Sequence, residues 1–417
     1  MSLPWQWLLA VAATGLVSSL ASAEPVLRRD ACEVPVYGEA PAAASGAADD
    51  DDSSATAEPD TTLYAPLPGG GCLSVNTWAS AILIATDLRF DDPRLRATAP
   101  SSFGSFQAGA QTTVATGWKT EGLFVGTTLV FVAGVRLPSS GGFVKEASFR
   151  IDRLLAGYAQ STFNYWNIDD FANAVFTPQR RTALLAFDIV KPSPWSVTLA
   201  FEQASIRPAV TLPAVPLLPA LMPRDEVVSS APDIVLRGRY QTDSLAFHAA
   251  VALRPNVPGN SARPRAGFAA TVGGLWATTI GNVTHTFSGQ LAYASDMPTY
   301  LGTPVDIGTL ASILQPTDAT RGYSAVVSLK QDWTPKLYTA FYVSHMSLSF
   351  PTISPHRGSA RLTRAAANIT YQTTAQSSLA LELGYGSGSL DLPDRQSPFF
   401  DLGGRAISLT LTASAWF

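Results

Sequence analysis

The last fourteen residues, GRAISLTLTASAWF from Gly404 to Phe417, alternate between apolar and small polar side chains with a period of two. Ile407, Leu409, Leu411, Ala413, Ala415 and Phe417 fall on one side of an extended chain. Ser408, Thr410, Thr412 and Ser414 fall on the other, which is the signature of a strand with two different surroundings. One fold that meets this is a soluble sandwich, with the apolar side as core. The other is a transmembrane barrel, with the apolar side on lipid and the polar side on a wet interior. A chain that stops on an aromatic of the apolar side favours the barrel, and the remaining sequence has to decide.

High apolarity without a long apolar run is the next constraint. Charged residues make up 14% of the 417, against roughly 25% in an ordinary soluble domain. Mean hydropathy is +0.14. Beyond the N-terminus, however, no uninterrupted apolar run reaches the roughly 18 residues of a membrane helix. This excludes a helical membrane protein and fits alternating strands. A formal net charge of −4 gives a nucleic-acid partner no support.

Residues 1–23, MSLPWQWLLAVAATGLVSSLASA, read as a secretory signal cleaved after Ala23, although no Lys or Arg precedes its apolar core. Cys32 and Cys72, the only cysteines, then belong to an exported chain and are expected to form a disulfide. Two thiols are too few for a zinc site, so neither metal nor cofactor is expected. Between them lies a tract rich in Ala, Pro, Gly and acid, including the run Asp49–Asp52. It has too little apolar area to offset its ordering entropy. Residues 24–72, with the acidic stretch 39–60, are therefore expected to form a periplasmic N-terminal segment ahead of a barrel over 73–417.

From Leu73 onward, alternating segments are separated by gaps that are in turn short and long. Counting back from a periplasmic C-terminus puts the gaps Thr374–Ser377, Thr334–Pro335, Thr279–Asn282, Thr242–Asp243 and Lys191–Pro194 on the periplasmic side. All are brief and rich in turn formers. The long gaps, Pro393–Gly403, Pro351–Gly358, Ser295–Ala319, Pro255–Arg263, Arg207–Pro232 and Thr162–Gln179, then all fall outside. Upstream, the segments Leu73–Phe90, Ser105–Gly117, Gly122–Arg136, Lys145–Asp152 and Leu155–Ser161 bring the total to about sixteen strands, an even number. The fold class expected is an all-β, transmembrane antiparallel β-barrel.

KEASFRIDRLLAGYAQSTFNYW, Lys145–Trp166, resembles the strand pair and aromatic segment of the alphaproteobacterial general porins of the rhizobial type, at Ala156, Gly157, Ala159, Gln160, Ser161 and Phe163. Cys32, Tyr37–Gly38 and Gly70, Cys72, Leu73 match the same family's N-terminal pattern, and Phe417 its terminal aromatic. The cysteine loop is longer here than in the family, and Ser80 and Tyr158 stand where the family tends to carry basic residues. The resemblance implies an integral protein of the Gram-negative outer membrane, a homotrimer, with the lipid bilayer and lipopolysaccharide as its partners. It implies passive diffusion of small hydrophilic solutes and ions, and a third loop folded into the lumen. A substrate-specific channel, or a structural barrel with a closed lumen, remains the alternative.

That third loop is Thr162–Gln179, whose only acids are Asp169 and Asp170. Phe163, Tyr165, Trp166, Phe171 and Phe176 could pin it to the wall; otherwise it is an ordinary surface loop with solvated acids. Strand parity gives the facing charges, because a lipid-facing Arg near the midplane costs about 2 to 4 kcal/mol. Inward positions by this rule are Arg150, Asp152, Glu202, Arg237, Arg239, His248, Arg364 and Glu382, while Arg180 follows the loop. The candidate constriction is thus Asp169, Asp170, Arg150, Arg180, Arg237, Arg239 and Arg364, although any one arginine could simply pair with an inward acid. His285 and His345 face lipid and His356 is external, so His248 has no partner for a nucleophile triad. No enzyme is expected.

Overall fold

The computed structural model describes residues 63–67, 71–91, 102–120, 123–137, 141–165, 171, 178, 180–190, 194–204, 231–257, 265–302, 320–351, 357–391 and 401–416. The signal segment, the acidic tract, the Cys32–Cys72 pairing, Asp169, Asp170 and Phe417 lie outside them. Among the described residues seventeen strands form: β1 (Leu63–Leu67), β2 (Gly71–Phe90), β3 (Ser102–Thr120), β4 (Leu123–Leu137), β5 (Gly141–Ile151), β6 (Leu154–Gln160), β7 (Arg181–Val190), β8 (Trp195–Glu202) and β9 (Asp233–Gln241). They continue as β10 (Leu245–Val257), β11 (Arg265–Ile280), β12 (Val283–Ser295), β13 (Arg321–Thr334), β14 (Leu337–Pro351), β15 (Arg357–Thr374), β16 (Ser377–Asp391) and β17 (Asp401–Trp416).

From β2 to β17 each strand pairs antiparallel with the next, and β17 pairs with β2 from Gly404↔Phe90 to Trp416↔Trp78. The result is a closed sixteen-stranded antiparallel barrel, which leaves no open sheet edge. β1 is an addition the alternation did not reveal. It pairs with β2 from Leu63↔Val75 to Leu67↔Gly71. Because β3 already occupies the other edge of β2 over Cys72–Ala85, β1 must lie on the edge used by β17. It therefore continues the line of β17 and satisfies backbone groups of β2 that β17 ends too soon to reach.

The two rims differ. On the rim where β17 ends, no described connection among β2–β17 exceeds four residues, as in Gly281–Asn282 with Gly281 at φ 65°. On the other rim the connections run from three residues (138–140) to thirty (203–232). The short-turn and long-gap assignments made from the sequence agree with these positions.

Every alternation now has a direction. Leu383 (58% exposed), Leu409 (51%) and Val327 (61%) face outward, whereas their neighbours Glu382 and Thr410 are almost wholly covered. Large apolar side chains exposed to this extent on strand after strand form a continuous outer band, the reverse of a soluble fold. Outward aromatics edge it: Trp195, Trp276, Trp333 and Tyr371 toward the short turns, and Tyr158, Tyr293, Tyr323 and Tyr385 toward the long connections. The largest cluster of buried apolar residues lies inside the barrel near the long-connection rim, where Met297, Tyr300 and Leu301 pack with Phe163, Ala269, Ala292, Ala294, Met346 and Leu348.

Candidate functional site

Two groups of inward charges line the wall from β5 to β10. Nearer the short turns, Asp188 on β7 is the hub. Arg150 Nη1 lies 2.9 Å from Asp188 Oδ2, and Thr198 Oγ1 donates to Oδ1 at 2.7 Å. Arg237 Nη2 donates to Thr198 Oγ1 at 2.6 Å and stays 3.9 Å from Asp188. Arg239, one inward step along β9, has no acidic partner among the described residues, and its Nε is buried without a hydrogen bond. Since lumenal positions recur every second residue, Arg237 and Arg239 stand in one column, a cationic strip on β9.

The second group sits at the mouth. Glu202 ends β8, Asp233 begins β9 directly opposite it, and Arg254 follows on β10. Arg254 clasps Asp233 with both arms, Nε to Oδ1 at 2.8 Å and Nη2 to Oδ2 at 3.0 Å, the geometry in which such pairs are strongest. Arg180 adds Nη1 to Oδ2 of Asp233 at 3.0 Å and donates to the Gln203 carbonyl. Two arginines and two carboxylates thus balance one another, and all four are buried.

Glu202 also holds the start of the β6–β7 connection. It accepts from Ser161 Oγ (2.7 Å to Oε2), the Thr162 backbone N–H (2.8 Å) and Thr162 Oγ1 (3.0 Å). Ser161 N–H closes the base of the connection by donating to the Arg180 carbonyl at 2.9 Å. Beyond it, Phe163 is fully buried, its carbonyl 3.2 Å from His248 Nε2. Tyr165 stacks on the His248 ring, with centroids 5.1 Å apart, and lies against Gly273 of β11, where any side chain would collide with it. Burial pushes the Tyr165 phenol up to about 12, so it is a neutral donor, and its hydroxyl has no partner among the described residues. Phe171 meets Tyr342 of β14 edge to face at 4.6 Å. β14 stands eight strands from β6 in a ring of sixteen, on the opposite wall.

The residues singled out from the sequence are therefore not brought into one ring. Arg150, Arg237 and Arg239 share the β5–β9 wall, Arg180 is neutralised at the mouth, and Arg364 lies across the lumen beside Tyr342. Asp169 and Asp170 are outside the described residues. Asp152 is a correction: expected inward with Arg150, it is exposed in the β5–β6 turn with φ 45°, because the strand already ends at Ile151. Of the described histidines, His248 alone faces inward; His285 bonds Gln331 and His345 bonds Thr363 on the outer face.

Sequence reasoning did not single out Asp188, Asp233, Arg254 or Tyr300. The first three obey the parity rule and were within its reach. Tyr300 was not, since its partners are 67 and 98 residues away in the chain.

No protein-family model matches the chain, and no curated protein is similar to it in sequence. Solved structures do match. The outer membrane channel DcaP of Acinetobacter baumannii superposes with a TM-score of 0.62 at 12% identity, over 84% of this chain and 99% of that one. OmpT of Vibrio cholerae, an outer membrane protein, gives 0.49 at 11% identity over 83% and 98%. The DcaP match shows that this chain shares the β-barrel fold of that protein.

Proposed function

We propose that the chain is a porin of the Gram-negative outer membrane, a water-filled channel through which small hydrophilic solutes and ions diffuse without chemistry. The observation that carries this reading is the inversion of faces: large apolar side chains outward on each strand from β4 to β17, and Ser, Thr, Asn, Gln and charge inward. Only lipid outside and water inside make both faces favourable at once. The short-turn rim is then periplasmic and the long connections are external. The sequence blocks around Lys145–Trp166 and Cys72 resemble those of the rhizobial-type general porins, which supports this reading.

In this reading the β6–β7 connection crosses the lumen. Phe163, Tyr165 and Phe171 act as its anchors, and the negative charge of Asp169 and Asp170 works against the cationic strip of Arg237 and Arg239, so that solutes pass through a transverse field. Arg150 is largely committed to Asp188, and Arg180 to Asp233. A homotrimer is supported by an outward patch of mainly small residues where β17, β2 and β3 adjoin, Ala413, Ala79, Ala81, Ala85, Gly104, Ala108 and Ala110, with Leu83 and Phe106 among them. Small side chains let a second barrel approach closely. Lipopolysaccharide fits the outward arginines beyond the apolar band, Arg321, Arg361 and Arg405.

The second inward connection favours a narrower, more substrate-selective channel than a wide general pore, because Met297–Leu301 fills part of the mouth. Swelling of liposomes that contain the full chain tests both forms. Rates that fall smoothly with solute size support a general porin. A single class of solute entering far faster than others of its size supports the selective form, and absence of swelling with every solute contradicts both.

A further inference from the structure

We propose that Tyr300 couples Ser161–Phe163, at the start of the β6–β7 connection, to Met297–Leu301, at the start of the β12–β13 connection, so that these two segments dock and undock together on the β8–β9 wall through Glu202 and Asp233. The inference rests on the channel reading above. The β12–β13 connection does not leave the barrel directly: after Ser295 it turns inward as a 3-10 turn, Pro298–Leu301. Met297 and Leu301, both fully buried, seat this turn on the wall. A Cβ on Gly267 would come 2.7 Å from Met297 Cγ, so the wall carries glycine where the turn presses on it, and Leu301 Cδ1 lies 3.1 Å from the Cβ position of Gly322, whose nearest neighbours are Ser347 and Leu348 of the adjoining strand.

Between those two apolar feet, Tyr300 reaches across the mouth. Its hydroxyl lies 3.2 Å from Glu202 Oε2 and 3.1 Å from Asp233 Oδ2. Its ring meets Phe163 edge to face at 4.8 Å, with the Arg180 guanidinium 4.8 Å from its centroid. Burial holds this phenol well above its ordinary range, so it stays a neutral donor to the two carboxylates. Glu202 Oε2 is the same atom that accepts from Ser161 Oγ of the other connection. One carboxylate oxygen thus carries a hydrogen bond from each connection, and the Tyr300 and Phe163 rings touch beside it. If either connection lifts, the other loses part of its seat. Two connections that share a seat in this way have docked and undocked arrangements rather than a continuum.

Single-channel recording of Tyr300→Phe, Ser161→Ala and the double variant tests the coupling, with heat-modifiable electrophoretic mobility confirming the folded barrel. The readout is the fraction of time spent in a second conductance level, which general loss of stability does not set. Tyr300→Phe removes the hydroxyl held between Glu202 and Asp233, Ser161→Ala removes the hydroxyl on Glu202 together with its acceptance from Phe163 N–H, and both keep the ion quartet, so that fraction is expected to rise about fivefold. The double variant is expected to add little beyond either single one. Equal, unaltered gating in all three, or effects that simply multiply, would overturn the proposal. A wild-type chain that inserts and passes no current would sink the channel reading instead. Should Tyr300→Phe not fold, hydrogen exchange on the full-length Ser161→Ala chain decides: faster exchange at the amides of Met297 and Thr299–Leu301 supports coupling, and an unchanged rate refutes it.

Discussion

Asp233 answers two arginines and a tyrosine, and it does so with Glu202 directly opposite on the next strand. Removing it leaves Arg180 and Arg254 buried with half their counter-charge. Asp233→Ala should therefore cost about 3 to 5 kcal/mol, read as a lower urea midpoint for unfolding from detergent micelles. An unchanged midpoint would mean that water reaches the cluster. Arg239 is the opposite case, a lumenal cation without an acidic partner among the described residues, so its charge is free to act on solutes. Arg239→Gln should shift the reversal potential in a salt gradient toward cations while leaving the unfolding midpoint within about 0.5 kcal/mol of the original. The converse pair, Asp169→Asn with Asp170→Asn, should lower cation preference. Equal reversal potentials before and after that change would remove these acids from the filter.

Among the elements, β16 shows how much a strand's sequence discloses. Leu379, Leu381, Leu383 and Tyr385 alternate with Ala380, Glu382 and Gly384, and the structure exposes the first set and covers the second. Leu383→Arg should cost about 2 to 4 kcal/mol of folding free energy into vesicles, whereas a lumenal change such as Thr410→Ser should cost little. Similar penalties on both faces would contradict the assignment of sides. Strands and their parity were legible because lipid and water impose a period of two on every crossing. Turn positions followed, since a brief gap cannot be anything but a hairpin. The alternation is weaker in β2, where Ile82, Leu83 and Ile84 are apolar on both faces, and in β7, where Leu184 points inward beside outward Leu185. Asp188 was overlooked in that ambiguous strand. The inward turn at Pro298–Leu301 and strand β1 left no periodic trace at all. One is fixed by contacts with distant strands, and the other by backbone pairing to which its side chains are indifferent.

For the whole molecule, closure of β17 on β2 joins the chain's first long strand to its last, so the barrel cannot be completed until the C-terminal strand is made. The same seam carries the outward patch of mainly small residues proposed as the trimer contact. Ala81→Trp with Ala110→Trp should break the oligomer without opening the barrel, seen as monomer in unheated electrophoresis that keeps its heat-modifiable shift; an oligomer of unchanged size would place the interface elsewhere. In the channel reading, lipid lies outside these strands and a continuous path of water inside. Single-channel recording across a planar bilayer under asymmetric salt tests it most directly. Stepwise insertions with ohmic current and a reversal potential set by the lumenal charges are expected. Chain that is folded and inserted yet passes no ions in any number of insertions would contradict it.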